Sequence, residues 1–296
     1  MRIDAHCHTD CSDGSLTIEQ RIAFIKACHL DAATITDHDF ISVEQVDRAE
    51  KACAGMPYVP GIELSLRHQG QVVHLLGYYI QPAHAGLQEH LCQVQGVDRD
   101  CTLKLLGYFQ ARGARFDLQD LVSTSLHTFY SLMLVKRVAG ELFENDPQRY
   151  VPAFQAAMEA TGLSYPDLAP WDVRNAIELL HRAGGIAVLA HPGGENDATM
   201  RSLGFLIHDR NHLKHYVDWG LDGIEVRSPV HSAQEKQFYA GLAEDFHLLA
   251  TAGSDCHGDD PYLGPALMDK FDEIPPHSYE ALAEYFQAKQ TQKGIS

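Results

Sequence analysis

The feature that most restricts what this chain can fold into is a repeated alternation. Seven short apolar or β-branched runs, Arg2 to Ala5, Ala32 to Thr36, Val59 to Leu64, Gln71 to Leu76, Ile186 to Ala190, Gly223 to Val226 and Leu248 to Ala252, are each followed by a segment with helical spacing. Strand and helix in succession point to a mostly parallel sheet with crossover helices. Leu16 to Ala27 opens on Ser15 or Thr17 with Glu19 close behind, and Ser42 to Ala54 carries apolar residues at helical intervals. Between Asp98 and Pro170 the strand signal stops, and Thr102 to Gln110, Leu126 to Phe143 and Pro152 to Thr161 read as helices. The expected division is a barrel built from 1–97 and 171–296, with a helical insertion or cap at 98–170. Pro147, Pro152, Pro166 and Pro170 are expected to end helices where they stand, and the polar tail after Gln287 to fray. A length of 296 residues suits one α/β barrel of ~250 residues with an insertion on top.

The second constraint is where the histidines fall. The chain has 18, and His6 and His8 lie two apart at the end of the first run, on one side of a strand and able to reach one ion together. Alone, such a pair weighs equally as a surface accident. Repetition changes the balance. His38 ends Thr34-Ile35-Thr36-Asp37-His38, Glu63 ends Val59-Pro60-Gly61-Ile62-Glu63, His74 lies in Val72-Val73-His74, and His191 ends Ala187-Val188-Leu189-Ala190-His191. Asp255 and His257, again two apart, close Thr251 to His257. In a parallel barrel the carboxyl ends of the strands meet at one face, so residues remote in sequence converge there. Asp13, in Ser12-Asp13-Gly14-Ser15, can bend back over the same rim. The implied feature is a metal cluster.

In these motifs the chain resembles the polymerase-and-histidinol-phosphatase (PHP) family of metal-dependent phosphoesterases. The resemblance rests on Asp4-Ala5-His6-Cys7-His8 with Ser12-Asp13-Gly14, Thr36-Asp37-His38-Asp39, Gly61-Ile62-Glu63, Val73-His74-Leu75-Leu76-Gly77, Leu189-Ala190-His191-Pro192 and Gly253-Ser254-Asp255-Cys256-His257-Gly258. It covers nearly the whole chain outside the insertion. It implies an α/β fold, a distorted (β/α)7 barrel related to the amidohydrolases, holding two or three divalent ions. By motif, His6, His8, Glu63 and Asp255 would hold one ion; Glu63 would bridge to a second with His74 and His191; Asp13, His38 and His257 would hold a third. Many family members carry His where Asp13 stands. The third position is therefore oxygen-rich here, which favours Mn²⁺ or Mg²⁺ over Zn²⁺. Mn²⁺ is the first expectation, with Zn²⁺, Fe²⁺ and Mg²⁺ as alternatives.

Charge enters at this point. Lys plus Arg total 23 against 40 Asp plus Glu, a net −17, which disfavours a surface that holds duplex nucleic acid by counterion release. Three carboxylates and six imidazoles around two or three dications nevertheless leave a locally positive site that draws a phosphate monoester. Two ions about 3.5–4 Å apart can hold a hydroxide and clamp phosphoryl oxygens, so no nucleophilic side chain is required. Cations at the rim would help bind the equatorial oxygens. Arg227-Ser228, after Gly223-Ile224-Glu225-Val226, is the best placed; Lys136 and Arg137 come next, and His127 with Phe129 and Tyr130 could stack on a base. Relatives of this kind often carry a Gly-Arg-Pro-His-like turn where this chain reads Ser125-Leu126-His127-Thr128-Phe129, so no substrate residue is carried over from it.

Other conspicuous residues receive plainer readings. Cys7 and Cys256 fall on the opposite strand parity from the proposed ligands and read as packing. His208, His212 and His215 read as one solvated helix face. Seven cysteines in no regular pattern fit reduced thiols, no apolar run approaches a membrane span, and no secretory segment opens the chain, so the cytoplasm is the expected setting. The activity implied is removal of the 3′-phosphate from 3′,5′-nucleotide bisphosphates such as adenosine 3′,5′-bisphosphate. A 5′-3′ exoribonuclease on short single-stranded RNA and a histidinol-phosphate phosphatase are the alternatives. A non-catalytic PHP-like binding domain, the reading from a different class, should have lost ligands, and all nine positions here carry competent side chains.

Overall fold

The computed structural model describes residues 1–194, 201, 203–258 and 274–293. Six strands, β1 (Ala33–Ile35), β2 (Tyr58–His68), β3 (Gln71–Tyr78), β4 (Ile186–Leu189), β5 (Gly223–Arg227) and β6 (Leu249–Ala252), lie side by side in chain order. β1 pairs with β2, β4 with β5 and β5 with β6 in parallel, whereas β3 is antiparallel to both β2 and β4. The expectation that a helix follows every strand run is corrected here. Gln69-Gly70 turns β2 directly into β3, both residues at positive φ, and the hairpin reverses one strand of the barrel.

The first run forms no strand of its own but closes the ring. Ile3 bridges to Ala32 beside β1, Cys7 bridges to Cys256 just beyond β6, and the Ala5 N–H donates to Ala252 O at 3.1 Å. The result is a distorted seven-stranded barrel. Alternate strand residues separate two cores. Val59, Leu76, Tyr78, Ile186, Val188 and Leu249 fill the interior, while Ile62, Leu64, Val73, Leu75, Leu189 and Ile224 pack outward against helices.

The covering helices follow their local chemistry. In α1 (Ile18–Ala27) the capping partner of Thr17 is Gln20, not Glu19, and the two side chains satisfy each other's backbone N–H. Ser42 caps α2 (Val43–Cys53). The long helix α3 (Ala85–Gln110) runs unbroken through residue 98: Leu87 and Leu91 pack on the barrel, and Leu105, Leu106 and Phe109 form a separate core with α4 (Tyr130–Phe143) and α5 (Pro147–Thr161). α4 begins at Tyr130 rather than near Leu126, because the Asp98 carboxylate of α3 accepts the Tyr130 and Ser131 N–H groups at 2.8 and 3.1 Å and fixes the helix start there. Pro147 opens α5, where its missing N–H costs nothing, and Pro152 is accommodated inside it.

After α6 (Val173–Arg182), α7 (Arg210–Asp218) and α8 (Ala233–Asp245) cover the later strands. His208 precedes α7 and is buried, its ring within 3.3 Å of Pro192 O, so the three-histidine solvated face does not form. The tail expected to fray is α9 (Ser278–Lys293), whose Leu282 plugs the bottom of the barrel; the last three residues lie outside the described part. Among the described residues no helix is long and apolar enough to cross a membrane.

Candidate metal centre

Glu63 is the hub of the site. It sits on the interior face of β2, fully buried, with Oε2 3.0 Å from His6 Nε2 and 3.3 Å from both His8 Nε2 and His38 Nδ1. Its other oxygen, Oε1, lies 3.0 Å from both His74 Nδ1 and His191 Nε2. Asp255 Oδ1 completes the first group at 3.1 Å from His8 Nε2 and 3.3 Å from His6 Nε2. Asp13 Oδ2 approaches His257 Nε2 at 3.1 Å and His38 Nε2 at 3.7 Å. The sets His6/His8/Glu63/Asp255, His38/Glu63/His74 and His8/Asp13/His38/His257 each place one donor atom per residue within 4.8 Å of the others. His191 joins through Glu63 and His74, whose Nδ1 lies 3.3 Å from its Nε2.

The strands deliver these residues to the mouth in different ways. His38 and Glu63 follow β1 and line β2 and bridge to each other, and Asp255 and His257 follow β6. His74 arrives differently. It lies inside the reversed strand β3, opposite Ser65, and reaches the centre because the hairpin folds its inner face over the same mouth. Asp13 comes from the loop at 9–14, which doubles back so tightly that a side chain on Gly14 would press on the backbone of His8 and Thr9. Asp39, next to His38, and Asp255, within the donor cluster, adopt positive φ, at 50° and 51°, a backbone state a rim can hold only when its surroundings over-determine it.

The electrostatics fit divalent cations. Burial alone would push the Glu63 carboxyl up, but His38, His6 and His74 outweigh it and hold the group well below the usual carboxylate range. Burial likewise opposes ionisation of Asp13 and Asp255, and the surrounding histidines overcome it in both. Burial depresses His8 less than Asp13, Asp255 and Glu63 raise it, to about 10, whereas at His38 burial wins and lowers it to about 3. Among the described residues no Lys or Arg pairs with these three carboxylates, and the buried His38 Nδ1 makes no hydrogen bond. Three carboxylates, Glu63 and Asp13 buried and Asp255 half-buried, whose only counter-charges are imidazoles, and a buried ring nitrogen that makes no hydrogen bond form a donor set suited to metal ions.

A second layer orients the first, and sequence reasoning missed it. Glu225, buried on β5, stands 3.2 Å from His6 Nδ1 and accepts the His191 N–H at 2.8 Å, which turns His6 Nε2 toward Glu63. Asp4 accepts the Ser254 N–H and Oγ–H at 2.8 and 2.6 Å and so shapes the turn before Asp255. Arg21, buried in α1, donates to His8 O and Cys256 O at 2.9 Å each. The available signals were an acid inside the apolar run at 223–226 and an arginine on the Ile18/Ile22/Ile25 face of a helix.

The remaining candidates scatter. Arg227 is exposed at the end of β5, and Ser228 is buried with an unpartnered hydroxyl. His127 reaches the rim, its Nδ1 2.9 Å from Cys11 O and its ring on Phe40, and Phe129 lies 6.3 Å from the His38 ring. Arg137 is occupied within the insertion, over Phe116 and near Glu141, and Lys136 is half-buried on α4. Phe205, unnoticed in the sequence, stands edge-on to His74 at 5.0 Å, with Tyr165 6.3 Å beyond it. Cys7 turns away from the centre and donates to Thr34 O.

No family model matches the chain. A 5′-3′ exoribonuclease from Haemophilus influenzae is 29% identical over 86% of this chain and 90% of its own length. A phosphoribosyl 1,2-cyclic phosphate 1,2-diphosphodiesterase from Eggerthella lenta is 29% identical over 86% and 94%. A 3′,5′-nucleoside bisphosphate phosphatase from Chromobacterium violaceum is 27% identical over 93% of each chain. In fold, the chain matches a metal-dependent phosphoesterase structure from Bifidobacterium adolescentis with a TM-score of 0.71 at 22% identity, over 86% of this chain and 87% of that one. It also matches an amidohydrolase from Chromobacterium violaceum, with bound sulfate and no metal, at 0.66 and 23% identity over 92% and 96%. The barrel, the donor cluster and these relatives together define a metal-dependent phosphoesterase, a hydrolase of phosphate esters. Within that class the relatives support a phosphoesterase of the PHP type, similar to the 3′,5′-nucleoside bisphosphate phosphatase group.

Proposed function

We propose that the chain removes the 3′-phosphate of 3′,5′-nucleotide bisphosphates, adenosine 3′,5′-bisphosphate giving AMP and phosphate, with Mn²⁺ as its metal. The observation that carries the reading is the convergence of Glu63 with five imidazoles at the barrel mouth, flanked by Asp255 and Asp13. His6, His8, Glu63 and Asp255 would hold one ion, Glu63 with His74 and His191 a second, and Asp13, His38 and His257 a third. Bound there, divalent ions supply polarisation of phosphoryl oxygens and acidification of water near neutral pH. Asp13 makes its position harder than an all-imidazole one, which supports Mn²⁺ over Zn²⁺.

The chain's own residues do the rest. Glu225 holds the His6 ring in one orientation, and Phe205 covers the His74 and His191 side against water. Arg227 offers a guanidinium to the substrate's other phosphate, with Ser228 beside it, and His127 and Phe129 face the nucleoside. Lys136 and Arg137 remain weaker candidates. Seven unpaired cysteines suit a reducing, cytoplasmic setting.

The relative named as a bisphosphate phosphatase matches 93% of both chains, which supports this substrate, whereas the relatives named as exoribonucleases, at 28–29% identity, favour 5′-phosphorylated short RNA as the second reading. A phosphate-release screen of Mn²⁺-loaded protein separates them. Adenosine 3′,5′-bisphosphate is expected to be hydrolysed at least ten times more efficiently than histidinol phosphate or 5′-phosphorylated oligoribonucleotides. Preferential mononucleotide release from RNA selects the second reading, and no phosphate release from any ester overturns both.

A further inference from the structure

The geometry points to Asp37 as a positioning residue: its carboxylate fastens the loop at 9–14, and with it Asp13, to the end of β1, and so builds the third metal position. The inference rests on the metal reading above. Asp13 sits on a loop that doubles back over the mouth, and its carboxylate needs an anchor that a strand would otherwise supply.

Asp37 is fully buried and accepts four hydrogen bonds. Oδ1 takes the Thr9 N–H at 2.6 Å and the Ser12 hydroxyl at 2.7 Å, and Oδ2 takes the Thr9 hydroxyl and the Gln45 amide, each at 2.6 Å. Two of the three residues donating to it belong to the loop. The third, Gln45, reaches in from the first turn of α2 and leaves its own buried Oε1 without a partner. The Thr9 N–H can only donate, and as placed the two hydroxyls and the Gln45 amide donate as well, a set that an ionised carboxylate satisfies in full. An amide in its place forfeits the charge that strengthens all four bonds. Ser12 extends the link, because its Oγ lies 3.5 Å from His8 Nδ1 and 3.2 Å from Asp13 Oδ1 while its proton points to Asp37. Backbone bonds from Ser12 and Gly14 to Thr9 O shape the loop, but those bonds are internal to it and do not tie it to the His38 side. That tie is the Asp37 side chain, one residue before His38.

The test compares full-length wild type, Asp37→Asn, Thr9→Val and Ser12→Ala after metal removal. Mn²⁺ titration calorimetry reads the number and affinity of ions, and hydrogen exchange of residues 9–14 in the metal-free protein reads the loop. For Asp37→Asn, the affinity at the weakest position is expected to fall 10–100-fold, the others to stay within about threefold, and exchange at 9–14 to accelerate. Thr9→Val and Ser12→Ala, which keep the carboxylate and lose one donor each, are expected to move in the same direction by less. Unchanged third-ion affinity or unchanged loop exchange in all three variants overturns the assignment, as does equal weakening of every ion. A wild type that saturates at two ions overturns the third position itself. A wild type that binds no divalent ion overturns the metal reading instead.

Discussion

At the level of single residues, the site divides into groups that would touch a metal and groups that aim them. The nine donors gathered at the mouth were legible because each stands in a short motif, at a strand end, beside one or, for Glu63 and His74, within the strand. Glu225, Asp4, Asp37 and Arg21 were not, since their partners lie far away in sequence: Glu225 meets His6 across 219 residues. Three substitutions test this division. Glu63→Ala removes both oxygens shared by five imidazoles, so ion binding at two positions and turnover are expected to be lost together in calorimetry and phosphate release; near-normal turnover would remove Glu63 from the hub. Glu225→Gln keeps one acceptor but not two, and ion affinity is expected to fall 10–100-fold with the fold intact. Arg227→Ala is expected to raise KM for a bisphosphate about tenfold with kcat unchanged, as a charge-assisted contact made equally in ground and transition states requires; unchanged kinetics would leave it a solvated residue.

Among elements, the β2–β3 hairpin and α9 depart most from the sequence reading. Period-two patterning identifies β3 but carries no direction, so nothing in Gln71 to Tyr78 announces that it runs opposite to its neighbours. Helix α9 is held by a buried node. Asp222 accepts from His181 Nε2 at 2.7 Å, from Lys289 Nζ at 2.9 Å and from the Ala187 N–H at 2.9 Å, joining α6, α9 and β4. Burial pushes the Asp222 carboxyl up, but His181, the Ala187 N–H and Lys289 more than offset it and hold it below the ordinary 3.8. A folded value below the unfolded one stabilises the fold above about pH 4, and that contribution is lost as pH falls through the folded value. Asp222→Ala is therefore expected to cost on the order of 3 kcal/mol near neutrality, with the difference from wild type shrinking as pH falls through the lowered value of the folded carboxyl. Urea unfolding at several pH values checks both; a constant difference down to acid would mean that the charge is irrelevant.

For the whole molecule, a net charge of −17 surrounds a pit suited to dications. That net charge argues against an extended basic track, so catalytic efficiency on 5′-phosphorylated RNA is expected not to rise with length beyond a few nucleotides, and its salt dependence to be shallow. Rates compared from dinucleotide to decanucleotide test this, and a steep rise with length would reveal a track. The alternation of strands and helices and the identity of the donors were determined by the sequence itself, because strand periodicity and ligand chemistry are local properties. Closure of the ring by Ile3 and Cys7, the reversal of β3 that brings His74 to the mouth, and the buried carboxylates that aim the histidines were decided only in three dimensions. Each depends on contacts between segments more than twenty residues apart in the chain or on strand direction, which no short window of sequence encodes.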